Sequence, residues 1–390
     1  METGMKPSFL RKSHANLLAA AFLTLLLTLG AGRTPDAFAR GAWIDVDAYR
    51  AAATQAGSEL PVDQLRQQAE KTLTQPIPKL IDKAHPALSG DKRDYNSLAI
   101  YWWPDPANPE GPYIRRDGKV NPEKTDTTRY DAPRLQQMVR QVRALARGYA
   151  VTGDERYARR AVAILDTWFV DPATSMHPNL RYAQTIPGRN KGNHSGIIET
   201  VPFIDLVDSL QLLEPSKAFT KLEQRAVKRW FMAYVFWLLT SEQGKKEAAA
   251  KNNHGDWYDA QVAVYAHYVG LDNLARDVLD QVPEKRLEPQ LAADGSLPLE
   301  LARTRPVNYS IYALRAFLTL ARVGQELGVD LYRVRTRNGA SLAQACGYIL
   351  PYVKGEKKLE KPDIAPFCSR EFLQALKLAG YRSSTVVHEP

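Results

Sequence analysis

Residues 133–168 read PRLQQMVRQVRALARGYAVTGDERYARRAVAILDTW, and the pattern of this stretch decides the fold. In its first half, apolar residues recur at steps of three and four positions, which places them on one face of a helix: Leu135, Met138, Val139, Val142, Leu145 and Tyr149. Pro133 suits a first helical turn, and Gly153 suits the end of a short connection. A second helical pattern runs from Tyr157 to Trp168. The stretch therefore predicts two antiparallel helices joined by a short turn.

Similar helix pairs are predicted further along the chain: 198–213 with 219–240, 256–269 with 272–282, and 309–327 with 340–352, followed by a last helix at 370–379. No comparable β-alternation occurs after residue 130, so the predicted fold class is all-α. Helix hairpins of this kind can build a solenoid, a globular bundle or a closed α/α toroid. The hairpins show no fixed repeat, which disfavours a regular solenoid. A toroid would place the connecting loops at one end, where they could line a cleft for a polymer.

The first residues have the features of an export signal. Three basic residues precede an apolar run at 17–29, and an A-x-A cleavage site ends at Ala39. This run is shorter than the about 20 residues that span a bilayer, although an uncleaved anchor is the alternative. We expect residues 1–39 to be a Sec-type signal peptide and residues 40–390 to form a single exported domain. That domain should lack a stable membrane insertion and should occupy the periplasm, or else be secreted.

The charge of the chain narrows the class of partner. The chain has 52 Lys and Arg residues against 43 Asp and Glu, a formal net charge of +9. An exported protein with this excess is suited to attract a polyanion, although the charge can also serve solubility alone. No zinc-finger, helix-turn-helix or RNP-like pattern is present, so nucleic acid is not an expected partner.

The two cysteines, Cys346 and Cys368, fit no metal motif. An exported location permits a disulfide, and we expect one between them. Two unpaired, buried thiols are the alternative.

Two segments lack helical periodicity but carry aromatic and polar side chains. Residues 101–131 contain several prolines together with the aromatic residues Tyr101, Trp102, Trp103 and Tyr113, which argue against disorder. Residues 181–196 read RYAQTIPGRNKGNHSG. Long ordered loops are usually functional, so we expect these segments to contribute to a site.

Three polar clusters carry the side chains with useful chemistry: Asn252-Asn253-His254-Gly255-Asp256-Trp257-Tyr258, Glu300 to Tyr309, and Arg189 to His194. Each residue taken singly has an ordinary explanation, since an Asn before a helix is often a cap and an Arg is often a surface charge. Two amides followed by a histidine and two aromatic residues are harder to explain by structure alone.

Several reaction types are excluded by the absence of their motifs. The chain has no GxSxG, Walker A loop, HExxH, or GxGxxG followed by an acidic partner. Its seven histidines are scattered, which disfavours a multi-histidine metal site. We therefore expect acid–base chemistry that uses neither a metal nor an organic cofactor.

Several motifs together resemble the alginate-lyase family of polysaccharide lyases: SLAIYWWPDP, GPYIRRDGKVNPE, YAQTIPG, GIIET, KNNHGDWYDAQ and DGSLPLELARTRPVNYSIYAL. They occur in the family's order across about residues 95–325, and the asparagine–histidine pair and LPLELAR are the specific parts. The resemblance implies an incomplete α/α toroid. It also implies a lyase that acts on poly-mannuronate, or on a related polyuronate such as glucuronan.

The resemblance also assigns catalytic residues. The family's asparagine–histidine pair falls on Asn253 and His254, its arginine on Arg303 and its catalytic tyrosine on Tyr309. This arginine and tyrosine are one residue closer together than in the best-known branch of the family. The exact sugar therefore stays open, and Tyr312 is an alternative for the tyrosine.

The reaction explains why these residue types are needed. β-Elimination removes the proton on C5 of a uronate and expels the oxygen on C4, and negative charge builds on the carboxylate. Donors from Asn253, His254 and Arg303 would stabilise that charge in the transition state. Tyr309 could act as both base and acid if a cation such as Arg303 or Arg305 favoured its phenolate. The variant is His254 as base with Tyr309 as acid.

The remaining candidates would hold the substrate. Arg189, Asn193, His194 and Arg305 are suited to sugar carboxylates and hydroxyls, and Trp102, Trp103 and Trp257 could stack on sugar rings or pack in the core. Two other functions are open. A hydrolase would need a separated pair of carboxylates, for which Asp256, Asp259 and Glu300 are available. A non-catalytic polysaccharide-binding protein of the envelope is the third possibility.

Overall fold

The computed structural model describes residues 41–52 and 60–380. The predicted signal peptide at 1–39 lies outside these residues. In the described part of the chain, no helix combines the length and the apolar character needed to cross a membrane.

Most of the described chain is helical. The α-helices are α1 Val46–Ala52, α2 Val62–Leu73, α3 Ala132–Thr152, α4 Glu155–Leu165, α5 Phe203–Leu213, α6 Lys221–Thr240, α7 Glu242–Ala248, α8 Asn253–Tyr268, α9 Asp272–Val282, α10 Glu288–Gln290, α11 Pro298–Leu301, α12 Pro306–Leu327, α13 Leu342–Val353 and α14 Arg370–Leu378. Single π-helical turns at Asp166–Val170 and Pro283–Leu287 extend α4 and α9, and a 3₁₀-helix at His194–Thr200 precedes α5.

The predicted helix hairpins are confirmed, and their turns follow local rules. Helix α3 ends where Gly153 adopts a left-handed φ of 69°, a conformation that glycine reaches at no steric cost. Asp154 then accepts a hydrogen bond from the Arg156 N–H and caps α4. Thr220 begins α6 with a capping box that it forms with Glu223.

The non-helical segments contain short strands. The strands are β1 Asn96–Leu98, β2 Trp102–Trp103, β3 Ile114–Arg115 and β4 Tyr182–Thr185. Strand β1 pairs with β4 in parallel, and β2 pairs with β3 antiparallel. A strand after residue 130 was not expected. A four-residue strand such as β4 has too few positions to show a periodic signal, and its partner β1 is distant in sequence.

Helix α8 is the central element of the core. Each residue from Gly255 to Tyr268 is buried, and α8 packs against α5, α6, α9 and α12. Because its sides are covered, only its first turn can present side chains to solvent. That turn holds Asn253 and His254.

A buried carboxylate connects the N-terminal segment to helix α5. Asp208 of α5 accepts hydrogen bonds from the backbone N–H groups of Ala42, Trp43 and Ile44 at 2.7, 2.7 and 3.1 Å. The chain turns at Gly41, whose φ is 68°, and a Cβ there would lie 2.8 Å from the Ile44 carbonyl oxygen. One side chain therefore satisfies three backbone donors from a segment that has no helical partners for them.

We predict that Asp208→Ala lowers the free energy of unfolding by about 3 kcal/mol, because it leaves buried N–H donors without acceptors. Urea denaturation of the purified protein measures this change. Asp208→Asn retains one acceptor oxygen and should lose less. An Asp208→Ala stability equal to that of the wild type would contradict this account of the N-terminal segment.

The expected disulfide is not formed. Cys346 is buried in α13 and Cys368 is exposed before α14, and both are free thiols. The alternative of two buried thiols holds only for Cys346. Spacing along the chain could not show that helix packing directs this side chain into the core.

Candidate active site

Two histidines share one buried carboxylate. His254 follows Asn253 at the start of α8, and His194 opens the 3₁₀-helix before α5. Their Nδ1 atoms lie 2.6 and 2.7 Å from Oε1 and Oε2 of Glu247, respectively. Glu247 lies on α7 and has no exposed surface. The carboxylate therefore orients both imidazole rings at once.

This arrangement fixes the tautomer of each ring. Burial alone would raise the pKa of Glu247, but the hydrogen bonds with His194 and His254 outweigh it and hold the pKa below its ordinary value. An ionised carboxylate only accepts hydrogen bonds, so each Nδ1 must donate. The contact with Glu247 involves neither of the two Nε2 atoms. The His254 side chain is 26% exposed and that of His194 is 40% exposed.

Asn253 holds a second buried carboxylate. Its side-chain nitrogen donates to Oε1 and Oε2 of Glu300 at 2.9 and 2.8 Å, and its backbone N–H donates to Oε1 at 2.8 Å. Asn253 is itself only 1% exposed. The expected direct contact with a sugar carboxylate is therefore not supported. Asn253 instead positions Glu300 and the first turn of α8.

Arg303 lies between a carboxylate and an aromatic ring. Its Nη2 donates to Oδ1 of Asp117 at 3.0 Å, and its guanidinium carbon lies 4.0 Å from the ring centroid of Tyr309. Thr304 also donates to Asp117, at 3.1 Å. The 101–131 loop therefore contributes the group that orients the predicted catalytic arginine.

Tyr309 is a neutral phenol in the free protein. Its hydroxyl donates to the hydroxyl of Tyr101 at 2.8 Å. Burial raises the pKa of Tyr309 well above its ordinary value, and Tyr101 raises it further. Arg303 lowers the pKa and therefore favours the phenolate, as expected from the sequence, but burial has the larger effect on the pKa of Tyr309.

Glu300 connects these groups into one site. Burial raises the pKa of Glu300, whereas the charges of both Arg303 and His254 act to lower it. Arg303 and the His254 ring therefore both lie close to the carboxylate that Asn253 binds. The four predicted catalytic residues, Asn253, His254, Arg303 and Tyr309, are brought together by the first turns of α8 and α12 and by the residues around α11.

Arg189 and Trp103, two of the residues expected to bind substrate, each donate a hydrogen bond to a backbone carbonyl group. Arg189 is exposed, donates to the Tyr113 carbonyl at 2.7 Å and lies 5.1 Å over the Trp102 ring. The ring nitrogen of Trp103 donates to the Lys119 carbonyl at 2.9 Å, so this indole is held in place within the 101–131 loop. Their contacts with a sugar stay predictions.

Two other predicted binding residues have structural contacts. The Asn193 side chain caps the 3₁₀-helix by accepting from the Ser195 N–H. Arg305 donates to the Pro366 carbonyl at 3.0 Å and to Asn308 at 3.3 Å, which fixes the segment before α14.

The assignment of Trp257 to sugar stacking is wrong. This side chain is completely buried, with Trp43 edge-on at 6.0 Å and Tyr312 at 5.1 Å between ring centroids. Trp257 lies one turn beyond Asn253, where α8 is already covered on its sides. Its ring therefore belongs to the core, and Tyr312, the alternative to Tyr309, packs against it.

Three residues of the site were not assigned roles from the sequence. Glu247 lies in the run KKEAAA, which carries no motif, and Asp117 lies in a charged part of the loop. Tyr101 was noted only as an aromatic residue of an ordered loop. Each acts through a partner more than five positions away in sequence, so local spacing contains no signal for it.

The carboxylates available to a hydrolase are structural. Asp256 is fully buried and accepts from Gln290 at 2.6 Å, and Asp259 binds Arg286 at 2.7 Å. Glu300 is held by Asn253. Among residues 41–52 and 60–380, no group of three or more His, Cys, Asp or Glu side chains is arranged to hold a metal ion.

Comparison with known proteins identifies the family and supports the fold. The alginate lyase family model matches residues 80–359. A crystal structure of an alginate lyase from Bacteroides ovatus is 38% identical, with a TM-score of 0.79, and the match covers 85% of this chain and 88% of that chain. No curated protein matches.

More distant structures share the fold. An alginate lyase from Sphingomonas species A1 has a TM-score of 0.56 at 16% identity, with 90% of this chain and 93% of that chain covered. A variant alginate lyase complexed with a tetrasaccharide has a TM-score of 0.59 at 15% identity, with 88% of each chain covered. The expected α/α toroid is confirmed. Because the family model matches more than half of this chain, at residues 80–359, the chain belongs to the alginate lyase family, and its enzymatic class is that of a polysaccharide lyase.

Proposed function

We propose that this lyase cleaves alginate, with poly-mannuronate as the favoured stretch, by β-elimination to give 4,5-unsaturated ends. The observation that carries the proposal is the convergence of a neutral phenol, a guanidinium and two imidazoles with fixed tautomers. This set can neutralise a uronate carboxylate, remove a proton and supply one. The similarity to alginate lyases supports alginate as the substrate.

The carboxylate of the sugar at the cleavage point would bind Arg303 and His194. Both side chains are partly exposed. Arg303 lies over the Tyr309 ring, and His194 shares the Glu247 carboxylate with His254. A charge-assisted contact with a guanidinium strengthens as the carboxylate gains enolate character, so it stabilises the transition state more than the ground state. Asp117 keeps the guanidinium in place without blocking it completely.

His254 is the base that this geometry favours. Glu247 accepts the hydrogen bond from Nδ1, so the Nε2 lone pair is available to take the C5 proton. The electrons of the C5–H bond form the C4–C5 double bond, and the C4–O4 bond breaks. The Tyr309 hydroxyl then protonates O4, and its raised pKa means that it carries this proton before the reaction. Proton exchange with solvent restores both groups.

Ultraviolet absorbance of the new C4–C5 double bond tests the reaction. The mature protein would be incubated with poly-mannuronate, poly-guluronate and glucuronan, with the Tyr309→Phe variant as the matched inactive control. We expect absorbance to rise fastest with poly-mannuronate. Reducing ends without the chromophore would indicate a hydrolase, and no product with any polymer would indicate a binding protein.

We also propose that the protein acts after export, in the periplasm. The basic start, apolar run and A-x-A site of residues 1–39 support this location. Mass spectrometry of the protein from a periplasmic extract should find an N-terminus at Arg40. A chain that begins at Met1 in the membrane fraction would indicate an anchor instead.

A further inference from the structure

A large cavity adjoins the catalytic residues without containing them. Its volume is about 720 Å³, and it is lined mainly by α3, α12, α14 and the start of α5. Clefts of roughly 300–1,000 Å³ enclose most of a drug-sized ligand, which is the size of a short oligosaccharide. The cavity is therefore large enough for several sugar units and plays no part in the chemistry described above.

The lining of this cavity is strongly cationic. Seven Lys and Arg side chains line it, against three carboxylates. One of those carboxylates, Asp205, is shared between Arg143 at 3.0 Å and Arg147 at 3.1 Å. A second, Glu371, is paired with Arg315. The internal ion pairs therefore leave a positive excess facing the cavity.

Two of these arginines are available to a ligand. Arg140 on α3 and Arg370 at the start of α14 both line the cavity and are exposed. Within the ranges 41–52 and 60–380, neither makes an ion pair. Arg140, Arg143 and Arg147 are spaced three and four residues apart, so they form one stripe along the inner face of α3. This stripe extends about 10 Å, at 1.5 Å per residue.

Helix α12 carries residues of both the catalytic site and the cavity lining. Tyr309, Tyr312 and Arg315 follow each other at three-residue steps on one face of that helix. Tyr312 and Arg315 line the cavity, whereas Tyr309 holds the reacting position. A polymer bound at Tyr309 would therefore find the cavity one helical turn away.

We propose that this cavity binds the part of the polyuronate next to the cleaved bond, with Arg140 and Arg370 pairing with sugar carboxylates. The proposal rests on the function proposed above and names the subsites that would serve it. Guanidinium groups match carboxylates in a two-pronged geometry, and the stripe on α3 offers them along the path of a chain. Substrates too short to reach the cavity would lose these contacts but keep the catalytic groups.

Binding can be measured without turnover by isothermal titration calorimetry of the Tyr309→Phe variant with a poly-mannuronate hexamer. Adding Arg140→Ala or Arg370→Ala should each weaken binding by about 10-fold, as expected for loss of a charge-assisted pair. Arg229→Ala is the matched control, because Arg229 is an exposed arginine of α6 outside the cavity. A neutral glucan hexamer should show no dependence on Arg140 or Arg370.

Kinetics of the single arginine variants complete the test. With Tyr309 intact, Arg140→Ala should raise KM for poly-mannuronate about 10-fold and leave kcat within about twofold. Unchanged hexamer affinity in both arginine variants would overturn the cavity proposal, whatever the activity. If affinity falls as expected but the wild-type protein forms no unsaturated product, the subsites stand and the proposed reaction fails.

Discussion

The Tyr309→Phe variant should lose about 10³-fold or more in kcat on poly-mannuronate, with substrate affinity within a few-fold of the wild type. The substitution removes the hydroxyl that protonates the leaving oxygen, and general acid catalysis contributes about 10²–10⁴-fold. The aromatic ring stays, so Arg303 keeps its contact at 4.0 Å and the fold should be unaffected. Initial rates of absorbance increase at saturating substrate measure the effect.

Tyr101→Phe is the matched control for this experiment. It removes the hydroxyl that accepts the Tyr309 hydrogen bond but leaves the Tyr309 hydroxyl in place. We expect a much smaller loss than for Tyr309→Phe. If Tyr309→Phe retained the wild-type rate, the acid would have to be sought elsewhere, with Tyr312→Phe as the next variant.

The Glu247→Gln variant should reduce kcat/KM by about 10²–10⁴-fold, although Glu247 itself is too buried to touch a polymer. A glutamine offers one acceptor oxygen and one donor nitrogen, so it can satisfy only one of the two Nδ1–H groups. The other ring would be forced into the opposite tautomer. Wrong orientation or the wrong tautomer of a catalytic imidazole typically costs losses in this range.

Glu242→Gln is the matched control, since Glu242 is an exposed residue of the same helix α7. It should leave kcat/KM unchanged. Circular dichroism spectra of both variants would show whether α7 is intact. A folded Glu247→Gln protein with wild-type kcat/KM would rule out any role of the shared carboxylate in orienting the histidines.

The pH dependence of stability gives a second readout for Glu247. The pKa of this group is lower in the folded protein than in the unfolded chain. Its contribution is therefore fully present above the ordinary pKa near 4.5 and is lost as the pH falls through the lowered folded value. The stability difference between the wild type and Glu247→Gln should accordingly be larger at pH 7 than at pH 3. A difference that does not vary with pH would contradict the tautomer model.

Taken together, these two variants separate the two roles at the site. Tyr309→Phe removes a group that donates a proton to the leaving oxygen. Glu247→Gln removes a group that acts only through His254 and His194, so it should also alter the pH profile of kcat/KM. The His254→Ala variant tests which residue is the base. A large loss in kcat would support His254, whereas a change confined to KM would return that role to Tyr309.

The helices of this protein were predictable because their signals are local. The apolar stripe from Leu135 to Tyr149 and the left-handed turn at Gly153 each depend on residues within a few positions of each other. The motifs around Asn253 and Arg303 likewise led to the candidate site. By contrast, Trp257 was misplaced, because the sequence next to His254 does not show that α8 is already enclosed one turn later.

The sequence by itself determined the helix hairpins, the family and four side chains of the candidate site, Asn253, His254, Arg303 and Tyr309, because these depend on local periodicity and contiguous motifs. Only the tertiary structure decided how those side chains are used. It placed both histidines on Glu247, directed the Asn253 amide at Glu300, and buried Tyr309 so that its phenol stays protonated. The physical reason is that tautomers and pKa values depend on desolvation and on charged partners brought from distant positions, which no stretch of sequence contains.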